Sequence, residues 1–194
     1  GLAVVSFLSY WAAGMSAFDA INHAFSVIST GGFSTKNLSI ASFDSNLINI
    51  LTIIFMFFSS VHFGLIYMVF ATRSLRPLNN PVLKFYVLTI LIASLLVALS
   101  LKMSSAGFTW GDSFMTGIFQ VVSFISTTGF AISDNNTWPL FACFITVLIS
   151  IPCGMAGSTS GGVKSDRMFL IFKTIGQQIK NSIHPSSINQ VHVG

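Results

Sequence analysis

Residues 46–72 run for 27 positions without one Asp, Glu, Lys or Arg. A helix of that length exceeds the roughly 30 Å of a bilayer's hydrocarbon, which about 20 apolar residues cross. The rest of the chain is of the same kind: 53% of its 194 residues are hydrophobic and 7% are charged, with no Glu at all. Soluble domains carry about a quarter charged residues. This chain cannot wrap its apolar side chains in a charged surface, so lipid is the expected solvent. The pI is near 9.3, yet the Lys and Arg residues stand at the ends of apolar runs rather than on a basic face interleaved with aromatics. Membrane topology explains that placement, and nucleic acid is not the expected partner.

A polar connector, Arg73-Ser-Leu-Arg76-Pro77-Leu-Asn79-Asn80-Pro81, follows the first run, and its prolines and paired asparagines break a helix. Residues 82–103 form a second span. A third run begins at Trp138-Pro139, with proline suited to a helix's first turn, and reaches Cys153, where a glycine-rich stretch begins. A more polar helix is expected over about 163–183, ending before His184-Pro185. At the N-terminus, residues 2–8 lack the basic flank and cleavage site of a signal peptide and read as the tail of a helix from a longer protein. Two shorter apolar segments, residues 15–28 and 112–125, would each be about 20 Å long as helices, too short to span. Each ends in a Ser/Thr/Gly cluster and is followed by polar residues and then a span. That is the pattern of a re-entrant half-helix, whose irregular backbone is tolerated at membrane depth only where it lines water or is buried in protein.

Charge placement orients the chain. Arg73, Arg76, Lys84, Lys164, Arg167, Lys173 and Lys180 fall on one side of the expected spans. Asp19, Asp44, Asp112 and Asp134 fall on the other, with Lys36 and Lys102 among them. The basic side is cytoplasmic by the positive-inside rule, so both half-helices enter from outside.

The two half-helices are copies. A shift of 97 residues lays residues 18–33 on 115–130, and seven of sixteen pairs are identical: Ile21/Ile118, Ser26/Ser123, Ile28/Ile125, Ser29/Ser126, Thr30/Thr127, Gly32/Gly129 and Phe33/Phe130. The repeating unit is helix, half-helix, Ser-Thr-x-Gly, helix. Such a unit suits cation passage. An ion sheds its water onto backbone carbonyls supplemented by hydroxyls, glycine permits the unusual backbone this needs, and the half-helix's C-terminal dipole favours positive charge. A single Ser-Thr-Gly-Gly-Phe would read as a glycine turn; two copies after two half-helices on one side read as pore loops. The candidate filter is Ser29, Thr30, Gly31 and Gly32 with Ser126, Thr127, Thr128 and Gly129, and residues 28–33 and 125–130 contain no ionised side chain. The fold class is therefore an all-α membrane protein of tandem helix–pore-loop–helix repeats, potassium-channel-like in architecture. The units are residues 1–72, a connector at 73–81, residues 82–183 with a broken inner helix, and a linker from 184 to 194.

Val27-Ile-Ser-Thr-Gly-Gly-Phe-Ser-Thr35 and Phe124-Ile-Ser-Thr-Thr-Gly-Phe130 resemble the second and third filters of the Trk/Ktr/HKT superfamily of potassium transporters. Pro152-Cys-Gly-Met-Ala-Gly-Ser-Thr-Ser-Gly-Gly-Val-Lys164 resembles the intramembrane loop that interrupts the third repeat's inner helix in bacterial TrkH-type proteins, and His184-Pro-Ser-Ser-Ile-Asn-Gln-Val191 resembles the cytoplasmic linker after it. The resemblance implies four pseudo-equivalent repeats around one pore, of which this chain holds the second and third. It also implies potassium uptake across a bacterial inner membrane by a multi-pass protein, with the ion at the filter carbonyls as cargo and no bound cofactor. A homodimer and a cytoplasmic nucleotide-binding regulatory subunit are the implied partners, beside lipid and the missing repeats. Gly154, Gly157, Ser158, Thr159, Ser160, Gly161, Gly162 and Lys164 would form a gate beneath the filter. Thr128 for Gly31, Ala131 for Ser34, and His62 where an Asn is expected depart from the pattern.

Other readings of these residues are weaker. Residues 157–165 have P-loop composition, but Val163 separates glycine from lysine and no strand precedes them; a static kink is the alternative to a gate. A secondary transporter with its substrate site at residues 157–162 would call for inverted repeats and an intramembrane charge, and neither is present in the sequence. His23, His62, His184 and His192 have no partners at metal-ligand spacing, and His62 is expected to bond between helices. Cys143 and Cys153, placed on one expected helix, would stand about 15 Å apart, too far for a disulfide. Asp19 and Asp112 suit the half-helix starts as caps. No nucleophile–base pair or metal constellation suggests an enzyme.

Overall fold

The computed structural model describes residues 1–104, 109–134 and 137–183. The linker from 184 to 194, with His184 and His192, lies outside the described residues. Among the described residues, eight α-helices form the body: α1 (Leu2–Ala12), α2 (Ala17–Ile28), α3 (Asn46–Ser60), α4 (Phe63–Thr72), α5 (Pro81–Met103), α6 (Trp110–Ile125), α7 (Leu140–Ile149) and α8 (Ser165–Ile183). Short 3-10 turns occupy Ser39–Phe43 and Arg76–Asn79, and two-residue strands β1 (Pro152–Cys153) and β2 (Val163–Lys164) pair in parallel.

The half-helices α2 and α6 start on matching caps. Ser16 Oγ accepts the Asp19 N–H and donates to the Asp19 carboxylate, and Thr109 Oγ1 does the same with Asp112. Each is a reciprocal N-terminal cap that also sets a carboxylate against the dipole's positive end. α2 has 12 residues and α6 has 16; the repeats coincide at the filter end and differ by one turn at the outer end.

The first span is not one helix. α3 and α4 meet at 96° around Val61 and His62. A helix that stops leaves its last carbonyls without partners, and here other backbone fills them. The Ser60 carbonyl accepts the Met155 N–H at 2.8 Å and the Ser59 carbonyl accepts the Thr159 N–H at 3.2 Å. Ser59 and Ser60 also turn their hydroxyls back onto the Met56 and Phe57 carbonyls, a bond that bends helices. Among the described residues only α5, at 23 residues, is a single helix long and apolar enough to cross a membrane.

The third run is likewise shorter than its apolar length. α7 ends at Ile149, since Pro152 disfavours helical backbone at Ile151, and Ser150 Oγ donates to the Val147 carbonyl. Cys153 therefore lies on β1 beyond the helix and not on one helix with Cys143. Both cysteines are free thiols.

α5 joins the two units. It packs on α6 and α7, and Tyr86 of α5 reaches Ser60 of α3 with a 2.7 Å hydroxyl bond while stacking on Phe57. Tyr10 of α1 donates to Thr52 of α3 and meets Phe55 edge-on. α6 crosses α5 closely at Gly117, where a Cβ would lie 3.0 Å from the Ser94 carbonyl oxygen and 3.2 Å from the Ala98 nitrogen. Small residues permit such approaches where the solvent is lipid. Gly117→Val is expected to force α6 off α5 and to lower the stability of the complete protein in detergent by about 1–3 kcal/mol, as over-packing typically does; a thermal-melt midpoint equal to that of the unsubstituted protein would contradict the crossing.

Candidate ion filter and gate loop

Both half-helices end in the same backbone device. Ser29 and Ser126 are the C-caps. The next residue, Thr30 or Thr127, turns left-handed at φ 52° and 57°. The Thr30 N–H bonds the Val27 carbonyl and the Gly31 N–H bonds the Ser26 carbonyl; in the other copy Thr127 bonds Phe124 and Thr128 bonds Ser123. These paired bonds are a Schellman motif, normally completed by glycine. A β-branched residue in this region is an outlier, and it occurs at equivalent positions of both copies. Two residues on, Gly32 and Gly129 are again at positive φ, 68° and 88°, where the absence of a Cβ removes the penalty.

The two filter segments lie side by side. A Cβ on Gly32 would overlap the Thr128 carbonyl, while the space at Gly129 is open. Ser126 and Thr128 share a hydroxyl bond of 2.7 Å, and Ser123 Oγ donates to the Phe130 carbonyl at 2.7 Å. Outside the filters, the Ala41 N–H bonds the Ala131 carbonyl and the Ala131 N–H bonds Ser39 Oγ, so the 3-10 turn of the first unit closes on the exit of the second filter.

The glycine-rich loop is bonded to both candidate filter segments. It leaves and returns through the β1–β2 pair, Pro152 opposite Val163 and Cys153 opposite Lys164. Thr30 Oγ1 lies 2.7 Å from the Ser29 carbonyl oxygen and 3.1 Å from that of Thr159, its one hydrogen shared between them, and the Gly161 N–H donates to Thr127 Oγ1 at 2.7 Å. The Thr159 hydroxyl lies between two helix-end carbonyls, Ile28 at 2.8 Å and Ser59 at 3.0 Å. One loop thus touches the ends of α2, α3 and the cap of α6. Ser158 Oγ donates to the Met155 carbonyl and pairs with Ser160 Oγ, and the buried Ser160 gives its carbonyl to the Lys164 ammonium.

Glycine is required at the loop by close approach. A Cβ on Gly154 would lie 2.7 Å from the Ser60 carbonyl oxygen, and one on Gly157 would overlap the His62 ring. Gly161 has room for a Cβ, and Gly162, at φ 67°, sits against Cys153. His62 does not bridge helices by a hydrogen bond as expected. It occupies the α3–α4 break, where its ring packs on Gly157 and Gly64, its Nδ1 has no described partner, and the neighbouring Phe63 N–H bonds the Gly157 carbonyl.

Asp166, a residue to which sequence reasoning assigned nothing, caps the loop by accepting the Ala156 N–H at 2.6 Å. The first turn of α8 right after a glycine run was the available signal, since acids favour helix starts. Ser59 and Ser60 were missed because what matters there is their carbonyls, which no side-chain pattern reveals.

The sequence profile of the TrkH family, described as "Cation transport protein", matches residues 1–194. This chain belongs to the TrkH family. It is 36% identical over 198 residues to the Trk system potassium uptake protein TrkH of Escherichia coli K12, covering all of this chain and 40% of that protein. The Escherichia coli TrkG protein is 32% identical over 195 residues. The crystal structure of the potassium transporter TrkH from Vibrio parahaemolyticus superposes with a TM-score of 0.93 at 33% identity, covering all of this chain and 42% of that one. The chain thus spans about 40% of the length of the TrkH relatives it matches, and its tandem pore-loop-like helical repeats are those of a membrane transporter fold.

The packing of Gly157 on His62 has a direct consequence. Gly157→Ala adds a methyl group against the ring at a φ of 76° and is expected to cost about 1–3 kcal/mol of stability. His62→Ala in the same protein should restore the steric part, leaving the backbone part; thermal melts of the two single variants and the double variant measure both, and strict additivity would contradict the contact.

Proposed function

We propose that this chain supplies two of the filter segments of a TrkH-family potassium uptake protein, and that its glycine-rich loop controls passage beneath them. The observation that carries the reading is the repeated backbone of residues 29–32 and 126–129: two half-helix C-termini, each followed by a left-handed threonine and a positive-φ glycine, set side by side. Carbonyls and hydroxyls at such a place replace an ion's water without any ionised ligand, and the helix ends add a favourable potential for a cation. The names of the relatives assign potassium uptake to those proteins, and the proposal extends it to the complete polypeptide containing this chain, working as a transporter and not as an enzyme. The resemblance extends it further, to a multi-pass protein of the bacterial inner membrane, dimeric and served by a cytoplasmic nucleotide-binding subunit.

Gating is the reading we favour for loop 154–162 because its bonds run to structures on three sides. Thr159 holds the ends of α2 and α3 together, Gly161 holds the cap of α6, and Lys164 places a fixed positive charge on the loop's own carbonyl. A loop held by a few hydrogen bonds, each worth about 0.5–1.5 kcal/mol net, can be displaced by a regulator at modest cost. An ammonium there opposes a second cation until the loop moves.

In the complete protein in vesicles, Gly32→Ser meets both the Thr128 carbonyl and an unfavourable φ, whereas Gly129→Ser meets the φ alone. Rubidium uptake is expected to fall by about tenfold or more with Gly32→Ser, equivalent to about 1.4 kcal/mol on the barrier, and less with Gly129→Ser. Unchanged flux and rubidium-to-sodium preference in both would remove the filter assignment. Thr159→Val keeps the shape of the side chain and removes its hydroxyl donor; it is expected to raise flux several-fold under conditions in which the unsubstituted protein is closed. Equal flux there would mean that the loop is a static kink.

A further inference from the structure

His23 lies midway along the first half-helix, fully buried, and contacts the residues that follow both filters. Its Nδ1 is 2.8 Å from the Asp19 carbonyl oxygen and its Nε2 is 2.8 Å from Ser34 Oγ. A carbonyl oxygen only accepts, so Nδ1 carries the hydrogen and Nε2 of the neutral ring is the acceptor. Ser34 therefore donates to His23, while Ser34 Oγ accepts the Lys36 N–H at 3.1 Å. Every polar atom of this chain of bonds is used with the ring neutral.

The same ring stacks on Phe130, centroids 5.8 Å apart and planes at 25°, and meets Phe43 edge-on at 5.3 Å. Ser34 is the second residue after Gly32, and Phe130 is the first after Gly129. Phe130 is 1% exposed, covered in part by this ring. The repeats differ together at the two hydrogen-bonded positions: Gln120 stands where His23 does, and Ala131 where Ser34 does.

We propose that His23 is a positioning residue for ion selectivity, its imidazole coupling the outer ends of the two filter segments through Ser34 and Phe130. This rests on the filter reading above. Selectivity depends on holding carbonyls at a set spacing against thermal spread, and each filter is anchored at its inner end by the helix cap and the loop. Its outer end needs a separate anchor. In the first filter that anchor is the Ser34–His23 bond, and the ring's other face lies on the exit of the second. Protonation of the ring reverses the bond: Nε2 becomes a donor, and Ser34 must then accept from both His23 and Lys36 while its own hydrogen loses its acceptor. The charged groups near the ring are Asp19 on its own helix and Lys36 on the segment after the filter, themselves paired at 3.6 Å; the 3-10 turn and the second filter present only Phe43 and Phe130 to it.

The test is the rubidium-to-sodium flux ratio of the complete protein in vesicles, for His23→Gln, Ser34→Ala, the double variant, Gly32→Ser and Gly129→Ser. His23→Gln and Ser34→Ala are each expected to reduce the ratio by about tenfold, and the double variant, which installs the pair of the other repeat, to do no more than either alone, as partners in one interaction do. Lowering external pH far enough to protonate the ring should reduce the ratio in the unsubstituted protein and leave it flat in His23→Gln. Ser34→Ala removes one hydroxyl at a half-buried site and keeps the test valid if His23→Gln does not fold. A ratio unchanged by Ser34→Ala, with Gly32→Ser still impairing flux, overturns the role of His23 and leaves the filter reading intact. Normal flux and ratio in both Gly32→Ser and Gly129→Ser overturn both.

Discussion

A threonine held left-handed at the end of each half-helix is the constraint on which the rest of this structure depends. Left-handed backbone costs an L-residue roughly 1–2 kcal/mol, and glycine would remove that cost. The threonine hydroxyls offset part of it by the bonds they make: Thr30 shares its hydrogen between the Ser29 and Thr159 carbonyls, and Thr127 accepts the Gly161 N–H. The candidate filter segments and the glycine-rich loop are therefore joined at the residue where each half-helix ends. The helix break at Val61–His62 belongs to the same system, because the carbonyls it releases on Ser59 and Ser60 are taken by Thr159 and Met155 of that loop. Displacing the loop would leave hydrogen-bonding groups of α2, α3 and the α6 cap to find other partners together.

Much of this was legible in the sequence, and for physical reasons. The half-helices were expected at 15–28 and 112–125 and run over Ala17–Ile28 and Trp110–Ile125, since their apolar faces and acidic starts are local signals. The repeat was legible because both copies must make the same backbone turn, which restricts the residues at Thr30/Thr127 and Gly32/Gly129. The loop's glycines at 154 and 157 were legible because nothing larger fits against Ser60 and His62.

What was not legible depends on contacts distant in sequence. The uncharged run over residues 46–72 gives no sign of a 96° bend, because the bend is stabilised by backbone donors about a hundred residues away. The early end of α7, by contrast, has a local cause in Pro152, and the β1–β2 pairing then places Cys153 outside the helix. His62 shows the limit of reading side chains by type. A histidine in an apolar run suggests a hydrogen bond, and here the ring acts by its shape, filling the break against Gly157.

The central claim is that cations lose water between the segments 29–32 and 126–129. The most direct measurement is anomalous diffraction from crystals of the complete protein grown in rubidium. A rubidium peak is expected within coordination distance of the carbonyls of those residues, lost when rubidium is replaced by a non-permeant cation. A clear map with no peak there, and rubidium bound elsewhere along the chain, would contradict it.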